Sequence, residues 1–249
     1  MKIQPQSVLA ELLDEMNTML ERGRLVHKDS EFAVSMGDRI EKLALSLEDE
    51  ASLVKGLLYT LCGDIDAAIA TFNDSNAPLG ERELNIFIAY SNLGFASSAL
   101  AQYRKVASPT TGLFTQNIDA GLSVGAIRTI ARFISQAETM HLANMEGVPI
   151  DLLRTAEEIL EEAGTDDDAI TRVLDVAGTV VREHGLVHIG SVQLDALKAA
   201  SCVKLRYRFA ISPDQAAWLY NEFLDRLYDE EVALPPAFIV SFEGKNITH

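Results

Sequence analysis

The strongest constraint on this chain is a pattern of small and aromatic residues that recurs 31 positions later. In each copy, small residues lie where two helices would touch, aromatic residues lie where bulk is needed, and a proline follows the second helix. A fixed interval of this length predicts helical hairpins that pack on their neighbours along the chain. The first copy is Tyr59, Gly63, Ala68, Phe72 and Pro78, and the second is Tyr90, Gly94, Ala99, Tyr103 and Pro109.

The two copies resemble the tetratricopeptide repeat, most closely in GDIDAAIATF from Gly63 and GFASSALAQY from Gly94. This resemblance implies a solenoid of helix–turn–helix units with an extended concave surface. Both copies depart from the family pattern, because the usual early tryptophan is missing and the interval is shorter than the family's period of about 34 residues. In the second copy Phe87 also replaces the small residue that Gly56 supplies in the first.

A third copy is only partly visible in the sequence. Gly125 continues the 31-residue step, but Gly121, Ile130 and Ile134 lie where the tyrosine, the alanine and the second aromatic residue are expected. The alternative to a solenoid is a plain antiparallel helical bundle, in which the glycines merely end helices.

The C-terminal part of the chain changes from helical to strand periodicity. Residues 203–211 alternate between apolar and mostly cationic side chains, which predicts a strand with one buried face. Ser212 and Pro213 then open a helix as N-cap and first helical residue, and residues 238–242 alternate again in a second strand. Residues 186–192 are a weaker candidate for a third strand because they contain a glycine.

The predicted fold class is therefore mainly α: a helical-hairpin solenoid of the tetratricopeptide type, followed by a small C-terminal α/β unit of strand, helix and strand. We expect a repeat domain over residues 1–147, a helical hairpin over 148–185 that continues or bridges the stack, and the α/β unit over 186–249.

The first predicted helix carries an apolar stripe that contains two methionines, and its members are Leu9, Leu12, Met16 and Met19. We expect this stripe to cap the solenoid. The alternative is a homodimer through the same stripe, since methionine adapts to varied surfaces.

Composition excludes several classes of partner. A formal net charge of −16 argues against direct binding to nucleic acid or to anionic membranes, because both attract lysine and arginine. The N terminus lacks the apolar core of a secretory signal, and no charge-free apolar run is long enough to span a bilayer. Cys62 and Cys202 belong to no CxxC pair, which favours reduced thiols and a cytoplasmic location.

The sequence contains none of the phosphate-loop, hydrolase-elbow, dinucleotide or zinc-protease motifs. We therefore expect no catalytic residue, cofactor or metal. His184 and His188 are four residues apart, but Gly185 should break the helix that a metal pair needs. The carboxylates within residues 161–168 lack the ligand spacing of a calcium loop and are expected to cap helices.

The candidate partner-binding residues follow from the resemblance, since the first helices of tetratricopeptide repeats usually line the concave face. By this resemblance they are Lys55 and Tyr59 in the first copy, and Asn85, Phe87 and Asn92 in the second.

A second candidate patch consists of Lys204, Arg206 and Arg208, three cations on one face of the first predicted strand. These cations are expected to neutralise nearby carboxylates or to guard a sheet edge from pairing. The alternative is a docking patch for an acidic group or a C-terminal carboxylate.

The leading hypothesis for function is a non-enzymatic adaptor or chaperone-like protein that holds a peptide or a partner protein in a helical-repeat groove. One alternative is an acidic inhibitor or immunity-type protein that imitates the charge of nucleic acid. Another is an enzyme whose site lies between the helical part and the α/β unit, where Arg206, Tyr207, Glu222 and Asp225 could converge.

Overall fold

The computed structural model of the chain describes residues 5–107, 114–141 and 148–245. These residues form eleven α-helices, one short 3-10 helix and three strands, so the chain is mainly helical with a small C-terminal sheet, as predicted. The first eight helices are α1 (Pro5–Glu21), α2 (Glu31–Ala44), α3 (Glu48–Leu61), α4 (Ile65–Asp74), α5 (Leu79–Asn92), α6 (Ala96–Val106), α7 (Phe114–Ser123) and α8 (Ile127–Thr139). The remaining elements are α9 (Ile150–Glu162), α10 (Asp167–Glu183), β1 (Gln193–Leu197), the 3-10 helix (Lys198–Ala200), β2 (Cys202–Phe209), α11 (Pro213–Asp229) and β3 (Phe238–Gly244).

Three helical hairpins, α3–α4, α5–α6 and α7–α8, follow one another along the chain. Their first helices end at residues 61, 92 and 123, and their second helices begin at residues 65, 96 and 127. Both sets of positions are therefore 31 residues apart, which is the interval of the sequence pattern. The helices also pack in chain order, since α3 contacts α4, α4 contacts α5, and α3 contacts α5.

The turns inside the three hairpins share one geometry. Gly63, Gly94 and Gly125 have φ angles of +78°, +67° and +72°, which favour glycine. In the first turn the Asp64 amide donates to the carbonyl of Tyr59 at 2.9 Å, and the other two turns repeat this bond 31 and 62 residues later. This bond is part of the Schellman cap that ends many helices. The same cap ends α9 and α10, so the turn by itself marks a helix end and not a repeat.

Side-chain volume explains the departures from the repeat pattern. In the first hairpin a Cβ on Gly56 would lie 2.6 Å from Cζ of Phe72, so glycine leaves room for that ring. In the second hairpin Phe87 occupies the corresponding position and packs against Tyr103, with ring centroids 5.7 Å apart. A Cβ on Gly121 would lie 2.6 Å from the Tyr103 hydroxyl. The third hairpin therefore has glycine in place of tyrosine because the second hairpin already supplies the aromatic ring there.

Helix α10 crosses the turns of the second and third hairpins. Its Asp167 accepts hydrogen bonds from two backbone amides at the start of α8, at 2.9 Å each, and from the hydroxyl of Thr129 at 2.8 Å. Its Asp175 accepts from the amide of Ser97 at the start of α6 at 3.0 Å. Neither α6 nor α8 has a side-chain cap from its own N-cap residue. Asp175 and Asp167 of α10 thus cap the N termini of α6 and α8, as the side chain of Asp64 caps the N terminus of α4.

The C-terminal sheet has the order β1-β2-β3, with β2 antiparallel to β1 and parallel to β3. Helix α11 connects β2 to β3, and it begins with the predicted Ser212 cap in a capping box with Gln215. The prediction of a third strand at 186–192 was wrong in position, because β1 begins at Gln193. Leu186 forms only an isolated bridge, and Gly190, with φ +67°, turns the chain before β1.

The main hydrophobic core runs from α5 to β3 and joins the last two hairpins, α9, α10 and the inner face of the sheet. This core crosses residues 147 and 185, so no break in packing marks the two domain boundaries that we predict. Within the described parts of the chain, none of the helices combines the length and the apolarity that crossing a bilayer requires.

A separate apolar cluster joins α1, α2 and α3. Leu12 and Met16 of the N-terminal stripe are buried in this cluster, and Leu9 and Met19 pack against it. The stripe therefore packs against the chain's own helices α2 and α3.

Candidate functional site

An open concavity lies between α2 and α3, and we call it the α2–α3 groove. Its volume is about 280 Å³. Its lining residues are Lys28, Ala33, Gly37, Ile40, Glu41, Lys55, Leu58, Tyr59, Cys62 and Asp64.

The groove exists because small residues of α2 face α3. Buried side chains of α2 recur at three- and four-residue steps, which turns one stripe of the helix toward α3. Ala33 and Gly37 lie along the groove, and a Cβ built on Gly37 would meet no atom within 4 Å. Ile40 and Leu58 form the apolar part of the lining. The missing side chain at residue 37 therefore leaves the middle of the groove open.

Two lysines make the groove less acidic than the protein as a whole. Neither Lys28 nor Lys55 forms an ion pair or side-chain hydrogen bond with a described residue. Asp64 also lines the groove, but its carboxylate already accepts from the amide of Ala67 at 3.1 Å as the cap of α4. Glu41 is the other acidic residue of the lining. An incoming carboxylate would thus find two uncommitted ammonium groups in a chain whose net charge is −16.

Cys62 is a free, half-buried thiol in the groove wall. Burial raises its pKa, and the neighbouring charge of Asp64 raises it further. A thiol with a raised pKa stays protonated near neutral pH and is a poor nucleophile. Cys62 therefore contributes a small apolar surface, and its thiol is less nucleophilic near neutral pH than that of an exposed cysteine.

The predicted partner-binding residues of the repeats do not lie on one common surface. Lys55 and Tyr59 both line the α2–α3 groove. Phe87 is 3% exposed and packs in the core against Tyr103, so its assignment to a binding surface was wrong. Asn85 is half-buried and donates to the carbonyl of Glu81 in its own helix at 2.9 Å. Asn92 lies outside the α2–α3 groove and lines a small cavity beside the turn of the second hairpin.

The separation of these residues has a physical cause. The family pattern expects a small residue at position 87, but this chain places a phenylalanine there to contact the ring of Tyr103. The binding role that the family resemblance assigns to Phe87 therefore fails, because the second copy departs from the family pattern at this position.

The three cations of β2 lie on the outer face of the sheet. Arg206 pairs with Asp195 of β1, and Arg208 lies 3.6 Å from the carboxylate of Glu243 on β3. Lys204 forms no ion pair with a described residue. The prediction that these cations neutralise carboxylates of the same fold holds for the two arginines. The idea that they guard a sheet edge was wrong, because β2 is the central strand.

The four residues that could have formed an enzyme site at the junction do not converge. Arg206 and Tyr207 are adjacent in β2 and face opposite sides of the sheet, with only Tyr207 in the core. Glu222 accepts a hydrogen bond from Nε2 of His184 at 2.9 Å, and Asp225 is exposed on α11.

His184 and His188 do not share one helical face, as expected, because α10 ends at Glu183 and Gly185, with φ +63°, lies between them. Among residues 5–107, 114–141 and 148–245, no three His, Cys, Asp or Glu side chains are grouped closely enough to hold a metal ion. Of the acidic run before and within α10, Asp166 caps α10 itself at 2.7 Å from the amide of Ala169, and Asp167 caps α8.

Sequence reasoning missed Lys28 and Gly37 of the groove. Lys28 lies in the loop before α2, where no periodicity applies, and only the fold brings it beside α3. Gly37 did carry a signal, because glycine inside a helix lowers its stability and often has a packing or functional reason.

Comparisons with known proteins add no family to this description. No protein-family model matches the chain, and no curated protein and no solved structure matches it either.

Proposed function

We propose that this protein is a non-enzymatic binding protein that holds an extended segment of a partner protein in the α2–α3 groove. The observation that carries the proposal is the groove itself: Lys55 and Tyr59, chosen from the repeat pattern, line it together with the uncommitted Lys28. The 31-residue interval of the hairpins supports the repeat architecture that this role requires.

The lining selects the chemistry of the partner segment. The half-buried Tyr59 offers aromatic surface for one bulky side chain, whereas Ile40 and Leu58 are 3% and 7% exposed and contribute little surface. Lys28 and Lys55 favour carboxylates next to it, because they have no acidic partner of their own among the described residues. The favoured occupant is therefore a peptide segment with one large apolar residue and neighbouring acidic residues.

The length of the groove limits how much of the partner it can hold. Helix α2 has 14 residues, which corresponds to a length of about 21 Å. An extended peptide covers that length with about six residues. A short linear segment thus suffices, and tight binding of a whole folded domain in this groove is not required.

The two other hypotheses have less support. Carboxylates are spread over α1, α2, α3, α9, α10 and α11 and are not confined to one element. This distribution weighs against imitation of a phosphate array. The four residues that we considered for an enzyme site lie on different surfaces, so they do not motivate that hypothesis.

Selection from a library of short random peptides tests the proposal. We expect the enriched sequences to combine an apolar residue with acidic residues, and we expect Lys55→Glu to weaken their binding by about tenfold or more. The matched control is Lys42→Glu, an exposed lysine of α2 outside the groove, which should change binding by no more than about twofold. Affinities are measured by fluorescence anisotropy of the labelled peptide.

A second pair of variants tests the location without changing charge. Gly37→Leu should fill the groove and abolish binding, while the helix keeps or gains stability. Gly80→Leu is its control, because Gly80 also has open space around its Cβ position and lies outside the groove. Equal binding by both variants, or selection of basic peptides, contradicts the proposal.

A further inference from the structure

Strand β3 has one edge that faces away from β2, and we call it the free edge. On the other edge β3 pairs with β2 in parallel, and the amide of Lys245 donates to the carbonyl of Phe209 at 2.9 Å, so the odd-numbered residues of β3 face β2. Because backbone groups alternate along a strand, the amides and carbonyls of Val240 and Phe242 face the free edge. Among the described residues, none hydrogen-bonds to these groups.

An open groove lies between the free edge and α11. It has a volume of about 440 Å³. Its lining residues are Pro213, Ala216, Ala217 and Tyr220 of α11 and Ser241, Phe242, Glu243 and Gly244 of β3. No residue of β2 lines the groove, so it lies on the side of β3 that faces away from β2. It shares no lining residue with the α2–α3 groove.

The flank of α11 beside this groove carries no charge. Its side chains recur at three- and four-residue steps and belong to Pro213, Ala217, Tyr220, Leu224 and Tyr228. Tyr228 is 84% exposed. The opposite flank of α11 is occupied by α10, where Glu222 bonds to His184 and Arg226 bonds to Glu183. The uncharged flank therefore faces the groove and the solvent.

An antiparallel copy of β3 is complementary to the free edge. When two copies meet with Ser241 on the twofold axis, Val240 of one copy lies opposite Phe242 of the other. The unpaired backbone groups of these two residues then exchange both hydrogen bonds on each side of the axis. No like charges lie opposite each other, since Glu243 meets Ile239. The Ser241 hydroxyl, which has no hydrogen-bond partner among the described residues, meets its own copy.

Charge favours the free edge over other surfaces for a second copy. A formal net charge of −16 makes most surfaces of two copies repel each other. At the free edge the flank of α11 is uncharged, and Arg208 lies 3.6 Å from the carboxylate of Glu243. Strand β3 also contains neither lysine nor proline, the residues that commonly protect an edge from pairing. A second copy therefore meets little like charge here and no residue that blocks pairing.

We propose that two copies of this chain associate through the free edges of β3, in antiparallel register with Ser241 on the twofold axis. The two three-stranded sheets then form one continuous sheet. The two α11 helices lie beneath the joined strands, with their uncharged flanks facing each other. A strand of seven residues is about 23 Å long, so the interface is small and the dimer is weak and concentration-dependent.

A pair of cysteine variants tests the register, in a background that carries Cys62→Ala and Cys202→Ala. Ser241→Cys places two thiols on the axis, where opposite Cβ atoms lie about 4.5–5.5 Å apart. We expect mild oxidation to give a disulfide-linked dimer on non-reducing gel electrophoresis. Ile239→Cys is the matched control, because Ile239 is 43% exposed on the same face of β3. Its own copy lies about 13 Å away along the strands, so it should cross-link at least about tenfold more slowly.

Sedimentation equilibrium of the full chain measures the association itself. We expect dimers to form as the concentration rises from about 5 to 300 μM, and to be more stable in about 0.5 M NaCl than in about 0.05 M, because salt screens the repulsion between two acidic chains. Ser241→Lys should weaken the dimer by about tenfold or more, since it places two ammonium groups beside the axis. Gln193→Lys is the matched control, because Gln193 is exposed on the same face of the sheet at the opposite edge, and it should leave the dimer unchanged.

Circular dichroism and thermal melting show whether each variant is folded, and the two cysteine variants decide the register if Ser241→Lys does not fold. Four results overturn the proposal: a monomer at every concentration and salt, a dimer that Ser241→Cys does not cross-link, equal cross-linking of the two cysteine variants, or equal weakening by the two lysine variants.

Discussion

Gly178→Ala is expected to destabilise the protein by about 3 kcal/mol or more, although alanine normally stabilises a helix interior relative to glycine by about 1 kcal/mol. Gly178 lies in α10 against the turn of the second hairpin. A Cβ there would lie 2.6 Å from the carbonyl carbon and 2.8 Å from the Cα of Gly94. Both are backbone atoms, so no side-chain rotation relieves the overlap. The free energy of unfolding is measured by urea denaturation.

Gly37→Ala is the matched control for this prediction. Gly37 also lies inside a helix, but its Cβ would meet no atom within 4 Å. We expect this variant to be more stable than the wild type by about 0.5–1 kcal/mol, because only the helix propensity changes. If Gly178→Ala also gains stability, the close contact between α10 and the second hairpin is not present in solution.

Asp167→Ala is expected to reduce the free energy of unfolding by about 2–4 kcal/mol. The substitution removes the acceptor of three hydrogen bonds from the start of α8, two of them from backbone amides. Asp167 is 2% exposed, so water does not readily replace the lost acceptor. Denaturant titration followed by circular dichroism measures the change.

Asp168→Ala is the control for charge and position. Asp168 is the next residue of α10, but its side chain is 57% exposed and pairs with Arg104 at 2.9 Å. An exposed pair of this kind contributes about 0–1 kcal/mol. Equal destabilisation by the two substitutions would contradict the capping role of Asp167.

The pH dependence of the Asp167→Ala effect follows from the direction of its pKa. Burial raises the pKa of Asp167, and its hydrogen bonds with Arg128 and Thr129 only partly oppose that shift. A carboxyl group with a raised pKa in the folded state contributes stability that is complete below the unfolded pKa, near 4, and is lost as pH rises through the folded pKa. The difference between wild type and variant should therefore be larger at acid pH than at neutral pH. A difference that grows with pH would contradict this assignment.

The sequence predicted correctly those features that depend only on neighbouring residues, such as where helices begin and end. Glycines at residues 63, 94 and 125 end helices, and the Ser212-Pro213 pair begins one, because both effects depend on backbone angles and neighbouring amides. The alternation of apolar residues in β2 predicted which face of that strand is buried.

Predictions failed where a position depends on what packs against it from elsewhere. Phe87 has the position of a binding residue in the family, but the ring of Tyr103 places it in the core. Gly121 departs from the pattern for the same reason, since the volume it leaves is filled by the preceding hairpin.

The α2–α3 groove combines both kinds of position. Lys55 and Tyr59 are one helical turn apart, so their spacing already places them on one face of α3. Lys28, on the other hand, reaches that groove from the loop before α2, where no helical periodicity applies.

Residue order was therefore enough to specify the helices, their turns and the C-terminal strand–helix–strand order, because caps, periodicity and glycine act over a few residues. Tertiary packing decided which residues share a surface: α10 caps two hairpins with Asp167 and Asp175, and the loop before α2 brings Lys28 beside α3. Contacts between residues far apart in the chain depend on the shapes of both partners, and no interval within one segment encodes them.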